Sequence, residues 1–249
     1  MPVYRLASRA VLRLAPETED EDVRSFLQRL ITNDVTGDLP QWAGLLNPQG
    51  KTLFDFLVWP DVRDSRSLLL DCEAAHADAL LRRLTLYRLR SKIRIERVES
   101  LSVYWTPDSP PPEASADPRL SALGFRWLAP TGSDIAEGDS AWLAHRLSLG
   151  VAEGEDELNG VLWLETNAAE LNGVSFTKGC YIGQENTARM NWRQKVNRRL
   201  TVVSLDHSDE KRRKQEWPEL GLALDLVRVA DISNPPDWLT QSLEITSGD

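Results

Sequence analysis

The chain has 249 residues, of which 41% are hydrophobic, and a formal net charge of −9 at pH 7. A chain of this length and composition buries a substantial core, as one large domain or two smaller ones, so disorder throughout is excluded. The negative charge opposes binding to nucleic acid or to an anionic membrane, and either contact would need a local basic patch. No apolar run approaches the roughly 20 residues of a membrane span, and the N-terminus lacks the apolar region of a signal peptide, so we expect a cytoplasmic protein with no membrane contact.

Cysteine occurs only at positions 72 and 180, and the chain has three histidines and no Cys-x-x-Cys pair. Structural zinc sites and iron–sulfur clusters use about four such ligands, so we expect no stably bound metal. Cys72 follows three leucines and an aspartate, a pattern typical of a core strand.

The N-terminal part mixes strand and helix patterns without a βαβ rhythm. We predict a strand pair or one bent strand over residues 4–14, and strands over 67–72 and 92–98. Helices are predicted over 18–31, capped by Thr18 with Glu21, and over 74–90. The turn Asn47-Pro-Gln-Gly-Lys51 predicts a hairpin of residues 42–46 and 53–59. These elements indicate an α+β fold with mostly antiparallel sheets, its first subdomain covering residues 1–106.

A proline-rich stretch, residues 107–118, predicts a loop at the start of a second α+β subdomain over residues 107–205. That subdomain is expected to contain a strand at 125–129, a helix at 139–149 capped by Asp139 or Ser140, and a strand at 198–205. A short C-terminal segment, 206–249, completes the chain. We expect it to contain a strand at 222–229 and a disordered end.

The segment from Lys178 to Glu185 concentrates what a chemical site needs, and it consists of Lys178, Gly179, Cys180, Tyr181, Ile182, Gly183, Gln184 and Glu185. Gly179 leaves the thiol uncrowded and Gly183 permits a sharp turn and the close approach of a ligand. Lys178 could favour the thiolate, which is the nucleophilic and metal-binding form, and Gln184 and Glu185 could orient a partner. The alternative is a cysteine that simply fills a small apolar space.

This octapeptide, with Gly-Val-Ser-Phe before it and Ala188-Arg189 after it, resembles the signature of the YgfZ proteins, folate-binding relatives of the glycine-cleavage aminomethyltransferase. Residues 27–35 and 45–58 resemble the Thr-Asn-Asp-Val segment and the hairpin of that family. The resemblance implies an aminomethyltransferase-like folate-binding fold, here with a reduced C-terminal β lobe. It also implies tetrahydrofolate as a cofactor and a role in the maturation or repair of iron–sulfur proteins.

The same resemblance assigns candidate ligand residues. Asp55 falls where the aminomethyltransferases keep a carboxylate that acts on the one-carbon unit, and Trp142 where the family places an indole against folate. Asn33, Asp34 and Asn167 match positions near the family's cleft. Each of the five has a structural alternative. Asp55 would be a solvated residue on a half-exposed strand, Trp142 a core or rim residue, and the other three residues that cap a helix or bridge a turn. Ser148 stands where the family has a glutamate suited to the pterin, so Glu153, Glu165 or a backbone carbonyl would have to replace it.

A basic run follows the motif, with no acidic residue between 186 and 205. It predicts an anion site for a polyglutamylated folate tail, a phosphate or an RNA segment, although a charged run is also typical of a solvated strand face. The residues of this predicted patch are Arg189, Arg193, Lys195, Arg198 and Arg199.

Three functions stay open, and the order given is our ranking. The first is a folate-binding accessory protein that uses Cys180 in the maturation or repair of iron–sulfur enzymes, including those that modify tRNA, with client or assembly proteins as partners. The second is a tetrahydrofolate-dependent aminomethyl transferase with Asp55 as its catalytic group. The third is a binding module that keeps the fold without the chemistry.

Overall fold

The computed structural model describes residues 2–132, 134–192 and 196–247, with side chains up to residue 243. Its strands are β1 Tyr4–Leu6, β2 Arg9–Pro16, β3 Gln41–Leu46, β4 Thr52–Pro60, β5 Leu68–Glu73, β6 Ile93–Arg97, β7 Leu101–Thr106, β8 Ser115–Ala116, β9 Phe125–Pro130, β10 Arg198–Ser204, β11 Arg213–Trp217 and β12 Leu222–Arg228. Its α-helices are α1 Val23–Gln28, α2 Ala77–Arg88, α3 Asp139–Ser148, α4 Glu155–Leu158, α5 Gln184–Trp192 and α6 Asp237–Ser247.

The strands form three sheets, in the orders β3-β4-β5-β2-β6, β1-β7-β9-β8 and β10-β12-β11. Every pair of neighbouring strands in these sheets is antiparallel. The α+β class with mostly antiparallel sheets is therefore confirmed, and so is the hairpin of β3 and β4.

Alternate residues of each strand point to opposite faces of the five-stranded sheet. Both sets of residues are largely apolar, so the sheet has two apolar faces. One face, including Leu12 and Phe56, packs against α1 and α2 through Phe26 and Leu80. The other face packs into a second core that is rich in tryptophan. This sheet consequently lies between the two helices and the remainder of the molecule.

Trp42 and Trp163 form the centre of the second core, with ring centroids 4.8 Å apart. Two glycines make room for them. A Cβ on Gly173 would lie 2.5 Å from the Trp42 ring, and one on Gly44 would lie 2.9 Å from the Trp163 ring. The Trp163 indole also donates a hydrogen bond to the Gly173 carbonyl at 3.0 Å, which holds the segment before Cys180 against the hairpin.

Several elements differ from the sequence-based predictions. Helix α1 begins at Val23, because the Asp22 carboxylate accepts the Ser25 N–H at 3.1 Å and supplies the cap expected of Thr18. The predicted cap Asp139 is instead the first residue of α3, and its carboxylate accepts two N–H groups of the β1–β2 turn. The predicted disordered end contains the ordered helix α6.

Two sheets cross the predicted subdomain boundaries at residues 106 and 205. Strand β7, which ends at Thr106, pairs with β9, and β10, which ends at Ser204, pairs with β12. The C-terminal segment thus contributes β11 and β12 to a small sheet. The division into three subdomains itself stays a prediction.

None of the described helices is both long and apolar enough to cross a membrane.

We predict that Gly173→Ala lowers the free energy of unfolding by about 1–3 kcal/mol, because the added methyl group overpacks the Trp42 ring. Gly37→Ala is the matched control, since a Cβ at Gly37 meets no atom within 4 Å. Urea denaturation of both variants measures the difference. Equal stabilities would contradict the packing described here.

Candidate functional site

Cys180 lies at the surface, whereas Cys72 is buried in the first core. Gly179 beside it is exposed as well, and a Cβ there would meet no atom within 4 Å. The residues on either side, Lys178 and Tyr181, are 8% exposed each. The thiol is therefore presented on a short exposed bend whose two ends are buried.

Lys178 holds one end of this bend. Its Nζ donates to the carbonyl oxygens of Ile31 at 2.6 Å and Asn33 at 2.8 Å, and it lies 5.2 Å from the centre of the Tyr181 ring. Burial lowers the pKa of Lys178 to about 8. The ammonium group thus anchors the bend to the residues after α1, and the role of Lys178 in favouring the thiolate stays a prediction.

Gly183 and Asn186 hold the other end. Gly183 has a φ of +82°, and a Cβ there would lie 2.5 Å from the Asn47 carbonyl oxygen in the β3–β4 turn. This is the close approach predicted for the glycine, although the neighbour is the protein's own hairpin. Asn186 donates to the Gln49 carbonyl at 2.9 Å, which fixes α5 on the same turn. Gln184, at the start of α5, is half-buried, and Glu185 is exposed.

The second prominent feature is a buried network of six charged side chains, each 7% exposed or less. Its members come from β2, β5, β9 and the segments before β9 and α4. They are the arginines Arg9, Arg119 and Arg126 and the acids Asp71, Asp117 and Glu153. Three positive and three negative charges balance, which is the condition for burying them without a large desolvation cost.

Glu153 is the centre of this ion network. Its carboxylate accepts from Arg119 at 2.6 Å, from Arg126 at 2.8 Å and from the Trp142 indole at 2.9 Å. Arg9 lies 3.5 Å away. Burial alone would raise the pKa of Glu153, but the neighbouring guanidinium groups outweigh burial, and its pKa lies well below the usual 4.5.

Asp71 joins the two larger sheets through the same arginines. Its carboxylate accepts from Arg9 at 2.6 Å, within the five-stranded sheet, and from Arg126 of β9 at 3.0 Å. Asp117 holds Arg119 from the opposite side at 2.7 Å. A cavity of about 290 Å³ lies beside the network, and its lining includes Arg9, Glu153 and Trp217 of β11. The cavity therefore lies where residues of all three parts of the chain meet.

Trp142 lines this cavity and is 3% exposed. The Arg126 guanidinium lies 4.2 Å from its ring centre, and Trp105 meets it in an edge contact with centroids 5.2 Å apart. The indole thus forms part of the wall, and a ligand that stacked on the side held by Arg126 would have to displace that residue. Its predicted stacking on folate stays a prediction.

Asp55 is buried, in contrast to the half-exposed position expected from the sequence. Its two oxygens accept from the Trp42 indole at 3.0 Å and from the Gly154 N–H at 3.1 Å. Burial raises the pKa of Asp55 above its usual range, while the charge of Arg9 opposes that effect. Asp55 is not among the residues that line the 290 Å³ cavity, although Gly154, which donates to it, is.

The three remaining candidate ligand residues form hydrogen bonds with other parts of the protein. Asn33 donates to the carbonyls of Trp42 at 2.8 Å and Asn172 at 2.7 Å. Asp34 accepts from the Thr36 side chain and N–H, which lowers the pKa of Asp34. Asn167, with φ at +65°, donates to the Leu200 carbonyl at 2.9 Å. Asp34 thus bridges a turn, whereas Asn33 and Asn167 join segments that are distant in sequence, and the folate contacts of all three stay a prediction.

The predicted anion patch is divided by the structure. Arg199 is 5% exposed and pairs with Glu170 at 2.7 Å, so its charge is already compensated. Arg189 and Arg198 are exposed. Arg193 and Lys195 lie outside the described residues. Of the patch residues that the structure describes, Arg189 and Arg198 are exposed enough to contact an anion, and the anion site stays a prediction.

Comparison with solved structures defines the class of fold. The chain is similar to the glycine cleavage system aminomethyltransferase T of Bartonella henselae, with a TM-score of 0.60 over 92% of this chain and 78% of that one, at 12% identity. At that identity the likeness concerns the fold alone, and it confirms the predicted aminomethyltransferase-like architecture.

Comparison with curated sequences finds homologous proteins. The chain is 34% identical over 236 residues to the human mitochondrial iron–sulfur cluster assembly factor IBA57, which covers 80% of this chain. It is 31% identical to the mouse protein and 30% identical to the Neurospora crassa homologue. The chain spans 65% of the human protein and 66% of the mouse protein, just under two thirds of each. No protein-family model matches the chain.

The chain is therefore a homologue of the IBA57-type iron–sulfur cluster assembly factors, which confirms the predicted YgfZ relationship. These relatives are named as mitochondrial proteins, and the expectation of a cytoplasmic location is accordingly wrong. That expectation rested on the lack of an apolar signal region. Mitochondrial targeting segments are amphipathic and rich in arginine, so the criterion does not detect them.

Sequence reasoning did not identify the ion network. A signal was nevertheless present, since Arg126 lies between Phe125 and Trp127 and Asp71 follows three leucines, both within strand patterns. A single charge inside an apolar strand is typical of a buried, paired residue.

We predict that Glu153→Gln lowers the free energy of unfolding by about 3 kcal/mol or more at pH 7, because it leaves buried arginines uncompensated. Glu137→Gln, in the exposed pair with Arg5, is the control and should cost less than about 1 kcal/mol. Urea denaturation at pH 7 and pH 4 measures both.

The pH dependence follows from the lowered pKa of Glu153. A carboxyl whose folded pKa is depressed adds stability above its unfolded pKa, near 4.5, and loses it as the pH falls toward the folded value. The difference between wild type and Glu153→Gln should accordingly shrink as the pH is lowered below 4.5. A difference that grew on acidification would contradict this role.

Proposed function

We propose that this protein acts in the maturation of iron–sulfur proteins and that the Cys180 thiol meets the cluster or its carrier. The names of the homologues support the process. The observation that carries the residue assignment is the exposed thiol on a bend held by Lys178 and Gly183. As clients we propose iron–sulfur enzymes, including those that modify tRNA, on the basis of the motif resemblance.

A thiolate is the ligand that iron in these clusters prefers, and a cluster normally takes about four of them. This chain offers one accessible thiol, because Cys72 is buried. Among the described residues, no three His, Cys, Asp or Glu side chains are grouped closely enough to hold a metal ion. The remaining ligands in our proposal come from a second protein, so the cluster is a shared cargo during transfer.

We predict that Cys180→Ala folds normally but fails to restore the activity of a [4Fe–4S] enzyme in cells that lack this protein. The substitution removes an exposed group, so circular dichroism and thermal unfolding should match wild type within error. Cys72→Ala is the control, because it removes the buried thiol and leaves the exposed one. Full rescue by Cys180→Ala would refute the assignment.

We propose tetrahydrofolate, or its polyglutamate, as a ligand of the 290 Å³ cavity, with the aminomethyltransferase fold as support. The polar groups that line the cavity suit this ligand. Carboxylates at the cavity can accept from the amino-pyrimidine edge of a pterin, and Asp156 is an exposed one with no partner among the described residues. Arg9 and Trp142 would form the wall. When bound, the folate would supply a one-carbon carrier.

We do not extend this proposal to aminomethyl transfer by Asp55. Both of its oxygens are occupied by Trp42 and Gly154, and it is 4% exposed. RNA is also left out, since the whole chain carries a net charge of −9 and Arg199 of the predicted patch already pairs with Glu170.

Calorimetric titration with tetrahydrofolate tests the ligand. We predict that wild type binds and that Asp156→Asn weakens binding by about tenfold, the loss expected when one charged hydrogen bond is removed. Asp20→Asn, at an exposed position outside the cavity lining, is the control and should bind as wild type does. Absence of binding by wild type would remove folate from the proposal and leave the role of Cys180 to be judged by the rescue experiment.

A further inference from the structure

A groove of about 820 Å³ lies between the C-terminal ends of α1 and α2, well apart in sequence from the Cys180 motif. Its floor is apolar and includes Phe26, Leu30 and Tyr87. Leu89 also lines the groove and is 88% exposed, and Leu86 of α2 is 68% exposed. An apolar groove with an exposed leucine on its lining is the kind of surface that marks interaction sites.

Leu89 has an unusual backbone. It terminates α2 with a φ of +49° and a ψ of −105°, a conformation that residues with a side chain rarely adopt. Such strain persists only where the surrounding structure imposes it. Glycine would satisfy this position without strain, so a leucine there, directed into solvent, is not explained by the stability of the helix end.

Arginines surround the apolar floor. Arg29 and Arg90 line the groove, are exposed and have no ion-pair partner in the described part of the chain. Arg88 also lines it and donates to the Ile93 carbonyl at 2.8 Å. Between residues 77 and 92 the basic side chains outnumber the single acid, Asp78, although the whole chain carries a net charge of −9.

An apolar centre with a charged rim is the usual anatomy of a protein interface. The uncompensated positive charge selects an acidic occupant. Leu89 is exposed on the lining of the groove, and covering it takes a surface laid across the groove.

We propose that this groove docks an acidic segment of a partner protein. The bulky apolar side chains of that segment would enter the groove over Phe26 and Leu30, while its carboxylates pair with Arg29 and Arg90. The proposal is independent of the function proposed for Cys180.

Fluorescence anisotropy with a short, fluorescein-labelled peptide of glutamate and leucine at helical spacing tests this docking. Wild type should bind, and more weakly at high salt. Leu89→Gly should weaken binding by about tenfold without loss of stability, because glycine accepts the positive φ. The double variant Arg29→Glu/Arg90→Glu should weaken it further.

Matched controls lie elsewhere on the surface. Val62→Gly removes another exposed apolar side chain, which is 94% exposed, and Lys211→Glu reverses an exposed charge outside the groove lining. Both should bind the peptide as wild type does. Thermal unfolding of all variants separates loss of binding from loss of fold.

Four results would overturn the proposal. The first is unchanged binding in both groove variants, and the second is equal binding of a peptide with lysine in place of glutamate. The third is a dimer, seen by sedimentation velocity, that Leu89→Gly abolishes, since the occupant would then be a second copy of the chain. The fourth is binding to phosphatidylserine-containing vesicles without binding to the acidic peptide.

Discussion

The buried ion network is the constraint on which the rest of the structure depends. Asp71 accepts hydrogen bonds from an arginine of its own sheet and from Arg126 of the neighbouring sheet, so the two sheets have one favourable relative position. Glu153, in the segment before α4, accepts hydrogen bonds from Arg119 and Arg126 and so joins that segment to the network. Removing any one charge leaves its partners buried and uncompensated, which makes this core far less tolerant of shifts than an aliphatic one.

A path of hydrogen bonds leads from this network to the surface cysteine. The Pro118 carbonyl, next to the network, accepts from Asn172 at 3.1 Å, and the Asn172 carbonyl accepts from Asn33 at 2.7 Å. The carbonyl of Asn33 in turn accepts from Lys178, two residues before Cys180. These hydrogen bonds fix the position of the thiol-bearing bend relative to the rigid interior. A fixed position suits a group that must meet a cluster in a defined orientation.

Local patterns in the sequence predicted much of the fold but little of the interior chemistry. The hairpin of β3 and β4 follows from a turn sequence and alternating apolar residues, which are short-range signals. The ion network joins residues such as Arg9 and Asp71, 62 positions apart, and no periodicity reports such pairing. The anchoring contacts of Lys178 could not be predicted for the same reason, because its carbonyl partners lie about 145 residues away.

The contrast between the two cysteines has a practical consequence for chemistry on the folded protein. With Cys72 sealed in the core, where burial raises the pKa of its thiol to about 12, alkylating and oxidising reagents reach Cys180 alone. Burial of one thiol also prevents an internal disulfide. A disulfide formed by the native chain therefore joins Cys180 to another molecule, and a single spectroscopic label attached to the wild-type protein would report directly from the bend.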